Sequence, residues 1–444
     1  MSLSTISLIL VVVGVIVSIV VSNKLNINGG IIAMVFAWFI ACVINKTTVS
    51  TLVGYWPTTV MFIIISTGLF FGVARSNGTL TNLAQKIIWK FRGAPALLPF
   101  GVFITGFIVG AAGAGSIAGQ LFLATLIYGM ASDLGINVLV FMVAAWGGST
   151  AGGGMFWSAE GANRIAYYGQ VGGPVTADVV SKSVAIYSIY LFAALLILTI
   201  IYYVILGGWK AKGSITNLKE PEPFNPEQKK TMTLIVIAVI LILVPAILKM
   251  VAPSDFTKSL ARMFDIQAVC IVGFLVAVLM GLCEDKKIIS TIPLNLILTI
   301  AGYCMLIKVA IGFDLPKIFG NVLQNAGLPN WIIPSMFLFF SCIISLFSNF
   351  AVIYPLMFPL IPVISAATGI NSLALFIGTC LGSCCTGFSP FSTGGACELT
   401  GCRDDALQQK LVPRMLIMAF CNAIILMIFG ALGLFGLFPD PLAL

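Results

Sequence analysis

Apolar runs alternate with short polar breaks along almost the whole chain, and the lengths of those runs decide its class. A helix needs about twenty apolar residues to cross a bilayer. Runs of that order cover residues 4–22, 28–45, 57–75, 137–160, 183–206, 231–250, 266–283, 289–311, 371–397 and 409–436, and each predicts one span. Two more apolar stretches, 95–131 and 331–367, are too long for one span and are interrupted by GAAGAGS and SLFSNF. Each predicts a helical hairpin that enters and leaves on the same side. The class is therefore an all-α polytopic membrane protein.

The pattern also repeats itself. Under the shift that carries Gly135 onto Gly369, GINVLVFMVAAWGGSTAGGGMFWSAEGA (Gly135–Ala162) overlies GINSLALFIGTCLGSCCTGFSPFSTGGA (Gly369–Ala396), with ten of 28 positions identical. Apolar composition can match Leu with Leu by chance, but hardly Gly148 with Gly382, Ser149 with Ser383, Gly153 with Gly387, Ser158 with Ser392 and Gly161 with Gly395. Residues 1–207 and 231–444 thus read as two repeats, each of five spans and one hairpin, joined by a polar linker at 208–230. An odd number of crossings forces the second copy to be inverted, the architecture of secondary transporters.

Composition agrees, with 59% hydrophobic residues, 9% charged ones and a mean hydropathy of +1.10. The formal charge of +8 does not call for nucleic acid, because basic residues of membrane proteins collect in cytoplasmic loops. Assigning alternate loops to two sides places fifteen of the 23 Lys and Arg on one side, with the 208–230 linker. That side is expected to be cytoplasmic and both termini outside, in a multi-pass protein of the cell inner membrane. The first run has no basic residue before it and reads as a retained span rather than a leader. With no histidine, His-based triads and His-ligated metals are excluded. Eleven scattered cysteines make no disulfide framework.

Candidate chemistry lies where helices break. Broken backbone at membrane depth is tolerated only where it is buried in protein or lines a polar cavity. Breaks are expected at the hairpin tips, Gly110–Ser116 and Ser345–Phe350, and within two spans, Ser149–Gly154 and Ser383–Thr393. Free N–H groups at half-helix starts attract anions, and free carbonyls at half-helix ends attract cations. In the second broken span, Pro390 forbids a continuous ladder, and Thr386, Ser389, Ser392 and Thr393 offer hydroxyls to a carboxylate or to Na⁺. The competing role for such Gly and Ser is close helix packing. Glu160 is an ionisable group at depth, either functional or paired with Arg164 four residues on. No Arg lies in either hairpin or in the second broken span before Arg403, so neutral donors are expected to hold an anion.

GLFFGVARSNGTLTNLAQKI, VGAAGAGSIAGQLFLATLIYGMA and FSPFSTGGA resemble stretches of the malonate/dicarboxylate carrier family, a branch of the ion transporter superfamily that includes divalent-anion/sodium symporters. The resemblance implies an elevator-type homodimer with scaffold and transport domains. It implies substrate contacts at Ser348 and Asn349 of the second tip; the helix breaks add Thr386, Ser389, Ser392 and Thr393, and Ser116, Ser149 and Thr150 of the first half, as further substrate-binding candidates. It further implies Na⁺ sites at Gly113, Ser116, Ser149 and Gly153, and at Ser345, Asn349, Ser383 and Gly387. The first tip reads Ala114-Gly115-Ser116 without the Asn of the symporters, which leaves Na⁺ and H⁺ both open as coupling ion. The expected function is secondary transport of a small dicarboxylate or related organic anion resembling malonate, malate or succinate. No cofactor or nucleic acid is involved, and lipid is the surrounding partner. The alternatives are a cation/proton antiporter, an inorganic-oxyanion exporter, or an intramembrane enzyme, for which only Glu160 offers a general acid or base.

Overall fold

The computed structural model describes residues 3–25, 27–173, 175–211, 220–252, 254–312, 329–347 and 350–442, and among these it is helical without strands. Helices of seven or more residues run in the order α1 (Leu3–Leu25), α2 (Gly29–Trp38), α3 (Thr58–Ser76), α4 (Thr79–Lys90), α5 (Leu98–Val109), α6 (Gly115–Leu134), α7 (Val138–Gly153), α8 (Ala159–Val171) and α9 (Ala177–Ile205). After the linker come α10 (Pro226–Val251), α11 (Asp255–Met263), α12 (Ile266–Leu279), α13 (Leu294–Ile311), α14 (Ile333–Phe347), α15 (Phe350–Met357), α16 (Leu360–Thr368), α17 (Ser372–Cys385), α18 (Thr393–Leu399) and α19 (Asp405–Ala431). Among the described residues nine helices are long and apolar enough to cross a membrane, or ten if the bent pair α11–α12 is one span.

Local chemistry places the helix starts that matter. Asn137 and Asn371 cap α7 and α17 by accepting from Leu139 N and Leu373 N, and Ser158 and Ser392 cap α8 and α18 by accepting from Gly161 N and Gly395 N. A side-chain oxygen at this position satisfies one of the orphan N–H groups of the first turn. The shift that carries Gly135 onto Gly369 also carries Asn137 onto Asn371 and Ser158 onto Ser392, so the matched residues of the sequence repeat do matched work.

Between α5 and α6 the chain reverses on Gly110–Gly115, where Gly113 (φ +93°) and Gly115 (φ +77°) take conformations that residues with a Cβ avoid. Both arms lie on α7. Gly148 and Gly152 pack against the carbonyls of Phe103 and Phe107, so α5 runs parallel to α7. Gly119 meets Ser149 and Ser116 meets Gly153, so α6 runs antiparallel. In the second half, Gly378 and Gly382 meet the carbonyls of Pro334 and Leu338 on α14, and Tyr354 of α15 returns alongside Ser383.

This packing corrects the expected position of the first break. Helix α7 continues unbroken through Ser149 to Gly153, because Gly148 and Gly152 are there to admit α5, and the interruption falls at residues 154–158 instead. The helix beyond it, α8, runs to Val171, well past the expected end at 160. The second break comes at residues 386–392, a single 3₁₀ turn followed by an extended joint.

Outside the hairpins, α2 packs on α13 and α3 packs on α12. The repeat shift turns either pair into the other, since it carries α2 onto α12 and α3 onto α13. At the first crossing Gly302 lies directly on the carbonyl of Gly30, an approach that no larger residue permits. The halves also interlock through rings. Tyr167 and Tyr168 of α8 meet Tyr354 and Phe358 of the second hairpin edge-on at 5.7 and 5.2 Å, and Tyr354 stacks on Phe358 at 4.6 Å.

Candidate functional site

The first hairpin tip, the flanks of the second (Ser345 and Phe350), the start of α8 and the second break line one cavity of about 510 Å³. Half-helix ends cannot complete their own hydrogen bonds, so such a junction concentrates free backbone dipoles. Of the residues singled out by sequence, Gly113, Ser116, Thr150, Ser345, Ser383, Gly387, Ser392 and Thr393 line it. Ser348 and Asn349 lie outside the described residues.

Four others are not brought to the cavity. Ser149 is fully buried between Gly106 and Gly119 in the α5–α6–α7 seam. Gly153 supplies the space for Ser116 and Glu160, whose atoms would lie 2.7 and 3.0 Å from a Cβ placed there. Thr386 is buried with its hydroxyl unpartnered, and Ser389 uses its hydroxyl to accept from Phe391 N. Several of the lining hydroxyls are already committed as well. Ser392 Oγ donates to the carbonyls of Gly387 and Ser389, Ser345 Oγ donates to Ser383 O, and Ser383 Oγ donates to Cys380 O.

At the first tip the chain answers its own dipole. The N–H and hydroxyl of Ser116, at the start of α6, both donate to Glu160 Oε1, at 2.9 and 2.6 Å. Glu160 therefore does not pair with Arg164. A carboxylate at a helix start is favourable because the N–H groups and the dipole both point at it. The geometry does not fit the Na⁺ set at Gly113, Ser116, Ser149 and Gly153. The Ser116 donors face a carboxylate, and Ser149 is packed away in the seam.

Arg164 changes the electrostatics of the cavity. The expectation of neutral donors left out this residue, which α8 carries, only 3% exposed, to the cavity wall. Its Nε donates to the Tyr354 hydroxyl at 2.8 Å and its Nη1 to the Gly154 carbonyl at 3.3 Å, while the guanidinium lies 5.0 Å from the Tyr187 ring centre. Among the described residues it has no carboxylate partner. A second guanidinium, Arg75 at the end of α3, also lines the cavity. Two cations and one carboxylate, Glu160, thus face a shared space, an arrangement suited to an anion.

Residues 4–153 match the dicarboxylate carrier protein MatC N-terminus. This match to the MatC N-terminus takes in the first hairpin and all of α7, and it ends at the break. No curated protein matches the chain. Among solved structures, the crystal structure of the Alcanivorax borkumensis YdaH transporter is similar, with a TM-score of 0.63 and 16% identity over 87% of this chain and 86% of that one. At that identity the likeness shows the fold alone, a polytopic helical membrane architecture.

Sequence reasoning missed two residues. Arg164 was visible only as a possible partner of Glu160, although ANRIAYYGQ after the Ser158 cap is helical and places a cation at depth. Glu398 falls just past the expected end of a span at 397, yet it is fully buried and both carboxyl oxygens lack a partner. The available signal was the repeat itself, because the shift that takes Gly135 to Gly369 takes Arg164 to Glu398.

Proposed function

We propose that this protein is a secondary active transporter of a small dicarboxylate or related organic anion, driven by a Na⁺ or H⁺ gradient. It is built as two inverted repeats whose hairpins and broken helices move together past a scaffold. One observation carries the reading: a buried arginine, without a carboxylate partner among the described residues, lines a cavity shared by the first hairpin tip, the flanks of the second and the second helix break. A carboxylate entering that cavity finds the planar guanidinium of Arg164. Arg75, on the same cavity wall, is the second cation available to the opposite end of a dianion. The substrate class is supported by the match of residues 4–153 to a dicarboxylate carrier, and the mobile element by the hairpins that flank the cavity.

Uptake of radiolabelled malonate, malate and succinate into proteoliposomes of the purified full chain tests the reading, with sulfate and a cation-flux dye as controls. Saturable uptake of at least one organic dianion is expected. Uptake of sulfate alone would identify an inorganic-oxyanion carrier. Cation exchange without anion movement would identify an antiporter.

A further inference from the structure

The shift that relates the halves also relates two buried pairs of positions, and they differ in chemistry. In one, Arg164 donates to the hydroxyl of Tyr354. Carried forward as Gly135 is carried to Gly369, Arg164 falls on Glu398, and carried back by the same step, Tyr354 falls on Gln120. The structure places this second pair in a matching seam between α18 and α6. Gly394 would carry a Cβ 2.8 Å from Gln120 Oε1, and Gly401 lies directly on the Ala124 carbonyl. Glu398 is one helical turn after Gly394 and just before Gly401, so it lies between the two points of contact. The hydroxyl of Tyr128 donates to its backbone carbonyl at 3.0 Å. Gln120 is 2% exposed and Glu398 not at all. Among the described residues, Gln120 Oε1 and both oxygens of Glu398 lack a hydrogen-bond partner.

We propose that Glu398 is the site at which the protein binds and releases its coupling proton, with Gln120 as its link to the substrate cavity. The proposal rests on the transporter reading above and selects H⁺ over Na⁺. An ionised carboxylate without a partner is prohibitively costly in such a seam. Among the described residues, the titratable groups around it offer no positive charge: Tyr128 on α6, and Cys397 and Cys402 beside it in the chain. Helix α7 and the 386–388 turn, which also pack on α18, contribute no titratable side chain. A metal ion would need several oxygen ligands and room for them, whereas Glu398 does not line the cavity and glycine contacts close the seam around it. A proton needs only one O–H bond. Gln120, by contrast, does line the cavity. When α18 and α6 part, the O–H bond of Glu398 breaks and the proton passes to cavity water beside the Gln120 amide, leaving the carboxylate. No electron is transferred, and reprotonation on the other side completes the cycle.

Infrared difference titration of the purified full chain tests the binding site without reference to any substrate. The wild type should show the carbonyl stretch of a protonated carboxylic acid that E398Q lacks and E398D shifts. Proteoliposomes test the coupling, with radiolabelled succinate as probe. An inside-alkaline gradient should drive wild-type accumulation of about tenfold per pH unit for one proton carried. E398Q should lose this accumulation but retain succinate exchange, and E398D should keep part of it. Gradient-driven accumulation by E398Q, or wild-type accumulation that follows Na⁺ and ignores pH, would overturn the proposal. If the wild type moves no succinate, that substrate assignment fails and the infrared arm decides alone. An acid band missing from the wild type, or unchanged in E398Q, would then overturn it.

Discussion

At the scale of single residues, Arg164 and Ser116 exchange the roles that their positions in the sequence suggest. Ser116, at the start of a half-helix, looks like an anion donor, but both of its donors already serve Glu160. Ser116→Ala should therefore leave the apparent KM for substrate unchanged. It should destabilise the protein by about 1.5–3 kcal/mol, the usual worth of a hydrogen bond to a charged group, as read by thermal unfolding in detergent. Arg164 holds the cavity's buried charge. Arg164→Lys keeps that charge but loses the planar fork, and losing one charged hydrogen bond corresponds to roughly a ten- to hundredfold rise in apparent KM. Transport titrations on monodisperse protein check this, and an unchanged KM would remove Arg164 from the site. Neither role could be read locally. What Glu160 and Arg164 touch depends on a hairpin tip 44 residues upstream and a tyrosine 190 residues downstream.

Among the elements, the helices and the chain reversal at the first tip were legible because their signal is local: apolar length, caps and turn glycines. Which of them cross was not, since the described helices long and apolar enough include both arms of the first hairpin, whereas α7 is shorter. The exact site of the first break was not legible either, because one residue type serves two ends. In GGSTAGGG the glycines read as helix breakers, yet Gly148 and Gly152 are helical and sit against the carbonyls of α5. Glycine costs a helix about 1 kcal/mol relative to alanine, so it persists mid-helix where a neighbouring backbone needs the space. Gly152→Ala should therefore force α5 from α7 and sharply reduce the yield of folded protein, despite its better helix propensity. Gly129→Ala, on α6 with open space around it, should be neutral or slightly stabilising. Size-exclusion profiles and melting temperatures of the two variants make the comparison. Equal behaviour would mean that the α5–α7 crossing is looser than its carbonyl contacts indicate.

Across the whole molecule, the relation between the halves was legible as a repeat, whereas the ring contacts that lock them together were not. Tyr167, Tyr168, Tyr354 and Phe358 join α8 of the first half to the second hairpin. That coupling constrains how the cavity can open. If the second hairpin moved alone, it would have to pull Tyr354 from Arg164 and unstack these rings, exposing apolar surface and a buried guanidinium together. Motion of both hairpins as one body leaves these contacts intact and instead slides α3 and α13 past the hairpins and α8. Ligand can bias such an equilibrium only through different affinities for the two positions. Single cysteines at Ser116 and Ser345, in a background cleared of native cysteines, should therefore change reactivity toward an impermeant thiol reagent when saturating substrate is added. If the repeats are inverted as proposed, the tips open from opposite sides, so protection at one should accompany exposure at the other. Cross-linking α8 to the second hairpin through Tyr168→Cys and Phe358→Cys should leave transport intact if, as proposed, both move as one body. Transport abolished by that cross-link, with substrate binding retained, would show that the hairpins move independently and that the ring cluster must open in every cycle.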